Sequence, residues 1–182
     1  MLDYIAMGMV LGEARTGYDI KKEIETGIGF YYKASYGSLY PALKKLTDKE
    51  YLTMTEESHG DRVKKYYRAT ELGKKAFLEW LAAPFDSNFS SGSLLARIYF
   101  FDQLPADIRK QQLQEYERHN QQILRKLQAV EKGCSDQERA NYFTMSTLYY
   151  GIHFVQSNIR WFQYIQEEKP LSEFMQGDSL QE

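Results

Sequence analysis

Apolar residues near the start of the chain recur with the period of a helix. Residues 2–12 are apolar with small residues among them, and Ile20 lies one helical turn before Ile24. A third run repeats leucine at spacings of four and three: Leu39, Leu43 and Leu46. These leucines are expected to face the core, so the pattern predicts three helices before residue 50.

Hydroxyl residues, glycines and prolines mark the expected ends of these helices. Thr16 and Ser35 are predicted N-caps of the second and third helices, because a hydroxyl oxygen accepts a hydrogen bond from a first-turn amide. Gly27 predicts the end of the second helix, and residues 30–33 are expected to form a short extended piece. Pro41 lies inside the third helix, where its missing amide is expected to weaken or kink that helix.

The pattern changes after the third helix. Residues 51–58 and 63–69 are rich in β-branched and aromatic residues and flank a glycine-containing turn, which predicts a β-hairpin. Thr70 is the predicted N-cap of a fourth helix over residues 71–83, and Pro84 ends it. The residues of this helix expected to be buried are Leu72, Ala76, Leu78 and Leu81. Three helices, a hairpin and a fourth helix follow one another in the order of a winged helix.

The remainder of the chain is predicted to be helical. Residues 86–93 are rich in Ser, Asn and Gly and form the predicted linker. A short helix over residues 94–101 precedes a long helix from residue 105 to about 132. The long helix carries an apolar seam with one polar position, spaced as in paired helices: Leu113, Tyr116, Asn120, Ile123, Leu127 and Val130. We expect it to pack lengthwise against another helix.

The last helix, over residues 135–168, is apolar on more than one side. One stripe contains Met145, Leu148, Ile152, Val155, Ile159 and Phe162, and it is widened by Tyr142, Tyr149, His153, Trp161 and Tyr164. Since a chain of this size does not easily cover both sides, we expect a homodimer that exchanges long helices. The predicted dimer contacts are Leu113, Tyr116, Ile123, Leu127, Leu148, Ile152, Val155 and Ile159. The alternative is an aromatic effector cavity around Tyr149, His153 and Trp161.

Composition excludes several classes of protein. The chain is 43% hydrophobic and 26% charged, which is typical of a folded protein. The single cysteine, Cys134, cannot form an intramolecular disulfide, and residues 1–30 lack a signal-peptide pattern, so a cytoplasmic location is expected. No apolar run reaches the roughly 18 residues of a membrane-spanning helix. The histidines, at positions 59, 119 and 153, are not at ligand spacing, so no metal and no cofactor are predicted.

Catalytic motifs are missing from the sequence, whereas basic charge is concentrated in one region. There is no glycine-rich phosphate loop or nucleophile elbow, and Cys134 has no histidine beside it in sequence, so we expect no enzyme. The net charge is −2, yet residues 33–68 contain 8 basic and 5 acidic residues. This region contains the predicted third helix and hairpin, so the distribution of charge says more than its total.

Three ordered motifs resemble those of the PadR family of transcriptional regulators. Residues 17–20 read Gly-Tyr-Asp-Ile after Leu11-Gly12, and residues 35–46 read Ser-Tyr-Gly-Ser-Leu-Tyr-Pro-Ala-Leu-Lys-Lys-Leu. Residues 65–73 read Lys-Tyr-Tyr-Arg-Ala-Thr-Glu-Leu-Gly. The chain departs from the family pattern at Ala34, where Pro is usual, and at Ala69, where a larger aliphatic is usual. The helical remainder looks like the virulence-activator-type C-terminal domain of the longer family members.

The resemblance implies a mainly α fold with two domains. Residues 1–83 would form a winged helix-turn-helix with a small β-hairpin wing, and residues 94–168 a long-helix dimerisation domain. Family members are usually repressors that bind a double-stranded DNA operator as homodimers, and some release it when a small aromatic effector binds. The alternative is a winged-helix protein-interaction module that does not bind DNA.

By the same resemblance, the third helix, the start of the second helix and the wing would contact DNA. The residues involved are Tyr18, Ser35, Tyr36, Gly37, Ser38, Tyr40, Lys44, Lys45, Arg62, Lys64 and Lys65. Small residues let the backbone approach the major groove, tyrosine hydroxyls donate hydrogen bonds, and lysines pair with phosphates. Gly17, Gly37 and Gly73 are interpreted as glycines that close packing within the chain requires.

Overall fold

The computed structural model describes residues 1–59, 62–84, 91–134 and 141–176, and the chain divides into two compact units, residues 1–105 and 106–182. The elements of the first unit are α1 (Leu2–Gly8), β1 (Arg15–Thr16), α2 (Gly17–Gly27), α3 (Tyr36–Asp48), β2 (Leu52–His59), β3 (Arg62–Ala69), α4 (Glu71–Ala82), α5 (Ser91–Ile98) and a 3-10 turn (Phe101–Gln103). Those of the second unit are α6 (Ala106–Cys134), α7 (Tyr142–Gln166) and α8 (Leu171–Gln176). The protein is therefore mainly helical, with one small sheet.

The three predicted N-caps in the first unit are confirmed. The Oγ atoms of Thr16, Ser35 and Thr70 accept hydrogen bonds from the amides of the residues three positions later, at 3.2, 3.1 and 3.0 Å. Thr70 also donates to the carbonyl oxygen of Glu50 at 2.7 Å, which joins the start of α4 to the chain that leaves α3. Helix α3 continues through Pro41 as one element.

The expected extended piece at residues 30–33 is wrong in its first half. The amides of Tyr31 and Tyr32 both donate to the carbonyl oxygen of Ile28, at 2.9 and 2.8 Å. These bonds coil the chain into a turn directly after α2. The turn leaves the Phe30 side chain 90% exposed.

The predicted hairpin is present and gains a third strand. Leu52 pairs with Ala69 at one end of the β2–β3 ladder, and His59 pairs with Arg62 at the other. Strand β1, which the sequence did not predict, pairs with β3 through Arg15 and Tyr67. The sheet order is β1-β3-β2, so the strand that leads into α2 is fixed to the wing.

The core of the first unit is formed where the inner faces of α1 to α4 meet. Its fully buried apolar residues include Ile5, Ile20, Ile24, Leu39, Leu43, Phe77 and Leu81. The expectation for α4 was confirmed for Leu81 and wrong for Leu72 and Leu78, which are 51% and 40% exposed. Thr70 caps the helix and so fixes where α4 begins. Residues 73, 77 and 81, four positions apart, then lie on the buried face, and Leu72 lies outside that face.

Helix α5, which lies in the predicted C-terminal domain, packs in the first unit. The buried guanidinium of Arg97 donates to the carbonyl oxygens of Leu81, in the last turn of α4, and of Ala83, directly after it. The rings of Phe77 and Phe100 meet edge to face at 5.4 Å. These contacts join α5 and the residues just after it to α4, and the second compact unit begins at Ala106.

The second unit is an antiparallel pair of long helices. The predicted lengthwise pairing of α6 is confirmed, and its partner is α7 of the same chain. The rings of Tyr116 and Phe162 stack at 5.7 Å, and Asn158 donates to Asn120 at 3.4 Å. Helix α7 begins at Tyr142, later than expected, because Asn141 caps it by accepting the amide of Phe143 at 3.0 Å. The preceding residues of the predicted helix, 135–140, lie outside the described residues.

Candidate nucleic-acid interface

Helix α3 has one face in the core and one in solvent. Its inner face consists of Leu39, Ala42, Leu43 and Leu46, all buried. The solvent face, with its N-cap, consists of Ser35, Tyr36, Gly37, Ser38, Tyr40, Pro41, Lys44, Lys45 and Asp48. Every residue of this helix that was predicted to contact DNA is therefore exposed. We call this set, together with Tyr18 and Lys21 of α2, the α3 surface.

Two tyrosines and a lysine form the centre of the α3 surface. The rings of Tyr36 and Tyr40 are 43% and 45% exposed and stack with centroids 6.1 Å apart and planes inclined by 20°. The Nζ atom of Lys21 lies 4.6 Å from the Tyr36 ring centroid, a cation–π contact. Tyr18, one turn before Lys21 on the same helix, is 59% exposed. The result is a flat aromatic patch with a cation above one ring.

Sequence reasoning missed Lys21, although a signal was available. It directly follows the Gly-Tyr-Asp-Ile motif at residues 17–20, so one helical turn separates it from the first residue of that motif. Its ammonium also donates to the Glu25 carboxylate, and this hydrogen bond raises the pKa of Lys21 above its ordinary value. The ammonium of Lys21 thus contacts both the Tyr36 ring and the Glu25 carboxylate.

Ser35 and Ser38, both predicted to contact DNA, form hydrogen bonds that cap the start of α3. The Ser35 hydroxyl accepts the Ser38 amide and the Ser38 hydroxyl accepts the Ser35 amide, both at 3.1 Å, which forms a capping box. Their hydroxyls lie 3.0 Å apart. The box fixes where α3 begins and thus where its positive dipole end, a favourable place for a phosphate, lies.

The three glycines that we interpreted as required by packing fall into two groups. A Cβ at Gly73 would collide with the carbonyl oxygen of Tyr51, and one at Gly17 would collide with the ring of Tyr40. For Gly37 the interpretation was wrong, because a Cβ there would meet only Ser35 Oγ, at 3.7 Å. Among the residues that the structure describes, nothing requires a glycine at position 37, so a small residue there favours the close approach of another molecule.

The two predicted lysines of α3 already have anionic neighbours. Lys44 Nζ lies 2.7 Å from Asp48 Oδ2 on the same helix. Lys45 Nζ lies 2.7 Å from Asp3 Oδ2 of α1, and this hydrogen bond raises the pKa of Lys45. Both side chains remain more than half exposed, so a phosphate can reach them in competition with these carboxylates.

The wing lysines face glutamates across the ladder. Lys64 pairs in register with Glu57, and Lys65 pairs with Glu56, whose Oε1 lies 3.4 Å from its Nζ. The wing is therefore less positive than its count of basic residues indicated. Arg62 begins β3, but its side chain lies outside the described part of the structure, as do residues 60 and 61.

The eight residues predicted for dimerisation are buried or partly buried in the α6–α7 pair of a single chain. Leu113, Tyr116, Ile152 and Val155 are buried between α6 and α7, and the other four, Ile123, Leu127, Leu148 and Ile159, are partly buried. What the pair leaves exposed is a different set of aromatic residues on α7: Tyr142, Phe143, Tyr149, Tyr150 and Phe154, between 44% and 79% exposed. We call this set the α7 aromatic face.

The residues predicted to hold an effector are spread along α7. Tyr149 and His153 lie one turn apart on its exposed side, and Trp161 lies two turns further on, partly buried with its ring 5.1 Å from that of Phe162. His153 lines a small open cavity of about 230 Å³ with polar neighbours. The structure thus brings Tyr149 and His153 near each other, while Trp161 lies apart from both.

A larger cavity, which sequence reasoning did not predict, opens in the first unit. It has a volume of about 710 Å³ and is lined by residues of α1, α2, α4, the loop before β1, and the segment after α5. Its wall includes the rings of Tyr99 and Phe100 and the cationic side chains of Arg15 and Lys74. Among the described residues, no group of three or more His, Cys, Asp or Glu side chains could hold a metal ion, and no helix is long and apolar enough to cross a membrane.

Comparison with known proteins gives matches to both halves of the chain. Residues 8–79 match the transcriptional regulator PadR-like family, and residues 93–168 match the family described as virulence activator alpha C-term. The negative transcriptional regulator PadR of Bacillus subtilis is 33% identical over 82 residues, which is 44% of this chain and 45% of that protein. The match thus spans less than half of that relative.

Solved structures of similar chains include Bacillus subtilis PadR in complex with operator DNA, with a TM-score of 0.45, 22% identity, and coverage of 92% of this chain and 98% of that chain. A structure of Bacillus subtilis PadR in complex with p-coumaric acid has a TM-score of 0.43 and 22% identity, and covers 92% of this chain and 97% of that chain.

Proposed function

Because this chain belongs to the PadR-like family of transcriptional regulators, we propose that it is a sequence-specific double-stranded DNA-binding regulator that acts as a homodimer and represses transcription. The observation that carries this proposal is the α3 surface, where stacked tyrosines, exposed lysines and an unobstructed glycine share one side of a helix. In this proposal residues 1–83 bind DNA, residues 94–168 dimerise, and the protein works in the cytoplasm.

The α3 surface fits a major groove in shape and chemistry. Its first turn carries Gly37, where nothing blocks a close approach, and the helix dipole there favours a phosphate. Tyr36 and Tyr40 offer hydroxyls to base edges or to phosphates, and Lys44 offers a charge to the backbone. The wing, with Lys64 and Lys65, would lie along the neighbouring phosphates.

Homodimerisation would supply the second recognition helix. A two-fold dimer reads two half-sites about one helical turn, or a multiple of it, apart. The α7 aromatic face is the candidate dimer surface, because five aromatic side chains on one face of a helix are more exposed than a stable single chain normally leaves them. A second copy would cover them by packing helix against helix.

A small aromatic acid is the effector class that the cavity in the first unit would accept. Tyr99 and Phe100 offer ring contacts, and Lys74 and Arg15 offer cations for a carboxylate, although Lys74 already pairs with Glu71 and Arg15 already pairs with Glu13 and Glu23. The p-coumaric acid bound to Bacillus subtilis PadR has this chemistry. To release DNA, the acid must bind more tightly to the dimer geometry that no longer fits the operator.

The DNA-binding function is tested by titrating DNA from the upstream region of this protein's own gene with purified protein and following fluorescence anisotropy across a salt series. We expect specific binding that weakens as salt rises. The double variant Tyr40→Ala/Lys44→Ala should lose the specific component, whereas Lys75→Ala, an exposed lysine of α4, should bind like the wild type. No specific binding, there or to a random-sequence pool, would support the protein-interaction module instead.

The effector is tested by calorimetric titration of the protein with p-coumaric acid, with and without bound operator. Weaker affinity in the presence of DNA is required by linkage if the acid releases the protein. Loss of binding in Lys74→Ala would assign the effector to the cavity of the first unit. Loss in Trp161→Ala alone would assign it to the predicted site at Tyr149, His153 and Trp161. Equal affinity with and without DNA would refute the switch.

A further inference from the structure

The side chain of Tyr40, on α3, lies directly against the backbone of Gly17, on α2. A Cβ atom built on Gly17 would lie 2.7 Å from Cε1 of Tyr40 and 3.0 Å from both its Cζ and its hydroxyl oxygen. Real Cβ atoms essentially never come within 3.0 Å of another group, so only a glycine accommodates the ring in this position. The part of the Tyr40 side chain nearest to Gly17 is therefore the end of the ring that carries the hydroxyl.

The position of Tyr40 also affects its neighbours on the α3 surface. Its ring stacks on Tyr36, whose ring in turn lies under the ammonium of Lys21. Gly17 and Lys21 belong to the same helix, one turn apart, so α2 touches the tyrosine pair at both ends. The presentation of the two rings is therefore set by α2 as well as by α3.

We propose that Gly17 is a positioning residue for DNA binding: by lacking a side chain, it lets the Tyr40 ring lie against α2 and so holds the Tyr40–Tyr36 pair in the orientation that meets DNA. This inference rests on the proposed function. Gly17 itself is buried, so its effect on DNA passes through Tyr40.

The folded structure should tolerate a methyl group at position 17. Gly17 is the first residue of α2, directly after the Thr16 cap, and alanine is intrinsically the better helix former. What must move is the far end of a half-exposed side chain, which can rotate toward solvent. At Gly73, by contrast, the obstacle is the Tyr51 backbone, which cannot rotate away.

The test is a double-mutant cycle on operator affinity with Gly17→Ala, Tyr40→Ala and the double variant, each also followed by thermal unfolding. Gly12→Ala is the matched control, because Gly12 is exposed and a Cβ there meets nothing within 4 Å. We expect Gly17→Ala to weaken DNA binding roughly tenfold, as for the loss of one or two hydrogen bonds, with an unchanged unfolding midpoint. In the Tyr40→Ala background the same change should have no effect.

The environment of the Tyr40 ring can also be measured in the absence of DNA, by ¹⁹F NMR. In protein labelled with 3-fluorotyrosine, the ¹⁹F resonance that disappears in Tyr40→Phe identifies this residue. It should shift in Gly17→Ala and stay in place in Gly12→Ala.

The possible results distinguish a failure of the Gly17 positioning role from a failure of DNA binding itself. Wild-type protein that binds no DNA would defeat both. Wild-type binding together with full affinity in Gly17→Ala, or an equal loss from Gly17→Ala with and without Tyr40, would overturn the positioning role alone.

Discussion

The Nη2 atom of Arg97 donates a hydrogen bond to the carbonyl oxygen of Leu81 at 2.7 Å, and its Nε donates to the same oxygen at 3.2 Å. Arg97 is 1% exposed and also donates to the carbonyl oxygen of Ala83. The carbonyls of a helix's last turn have no donor within the helix, so a side chain from α5 satisfies the end of α4. This contact fixes the end of α4 to α5 within the first unit.

Replacing Arg97 by Met should destabilise the first unit. The change leaves buried carbonyl oxygens without their charged donor, and we expect a loss of about 2–4 kcal/mol in the free energy of unfolding. Urea denaturation followed by circular dichroism measures it. Arg118→Met is the control, since that side chain is 65% exposed on α6 and should change stability by less than about 0.5 kcal/mol. Equal effects of the two variants would contradict the role of Arg97.

The Ser35 cap can be separated from DNA binding by two substitutions. Ser35→Ala removes the acceptor for the Ser38 amide and should cost about 1 kcal/mol of stability. Ser35→Asp keeps an acceptor and should retain stability, yet it brings a negative charge to the α3 surface and should weaken DNA binding. Thermal unfolding and anisotropy titrations measure the two effects. If Ser35→Asp binds DNA as tightly as the wild type, the start of α3 does not face phosphates.

The wing lysines should steepen the salt dependence of DNA affinity. Each phosphate contact contributes about 0.9 to the slope of log affinity against log salt concentration, so Lys64→Gln should reduce the slope by about one. Lys75→Gln, on α4, removes the same charge outside the proposed interface and should leave the slope unchanged. Identical slopes for both variants and the wild type would show that the wing does not neutralise a phosphate.

A charge in the α7 aromatic face should break the dimer. Tyr150 is 72% exposed, and Tyr150→Glu would place a carboxylate in an apolar interface, weakening self-association by about tenfold or more. Phe30→Glu is the control, because Phe30 is 90% exposed in the first unit. Sedimentation velocity over a concentration series distinguishes monomer from dimer. A dimer unaffected by Tyr150→Glu would place the interface elsewhere.

Local sequence patterns predicted most of the elements, because the interactions that define them are local. The hydroxyls of Thr16, Ser35 and Thr70 accept hydrogen bonds from amides only three residues away, so the local sequence is enough to predict these caps. Strand β1 has only two residues and finds its partners about fifty residues later, so no periodicity reveals it.

The sequence indicated which residues of α3 are exposed, but not which charged groups surround them. Lys45 was correctly placed on the exposed face, but its ion pair with Asp3 joins residues 42 apart in sequence. The seam of α6 was recognised from spacing, yet spacing does not say whether the partner helix belongs to the same chain. Gly17 and Gly37 look alike in sequence, and only the fold shows that one contacts Tyr40 while the other faces open space.

Selection of bound fragments from a random double-stranded DNA library shows whether a dimer of this protein reads a specific DNA sequence through α3. We expect enrichment of an inverted repeat whose half-sites lie about one helical turn, or a multiple of it, apart, and no enrichment with Tyr40→Ala/Lys44→Ala. A library that emerges unenriched, or an enriched sequence that the double variant selects equally well, would contradict this expectation.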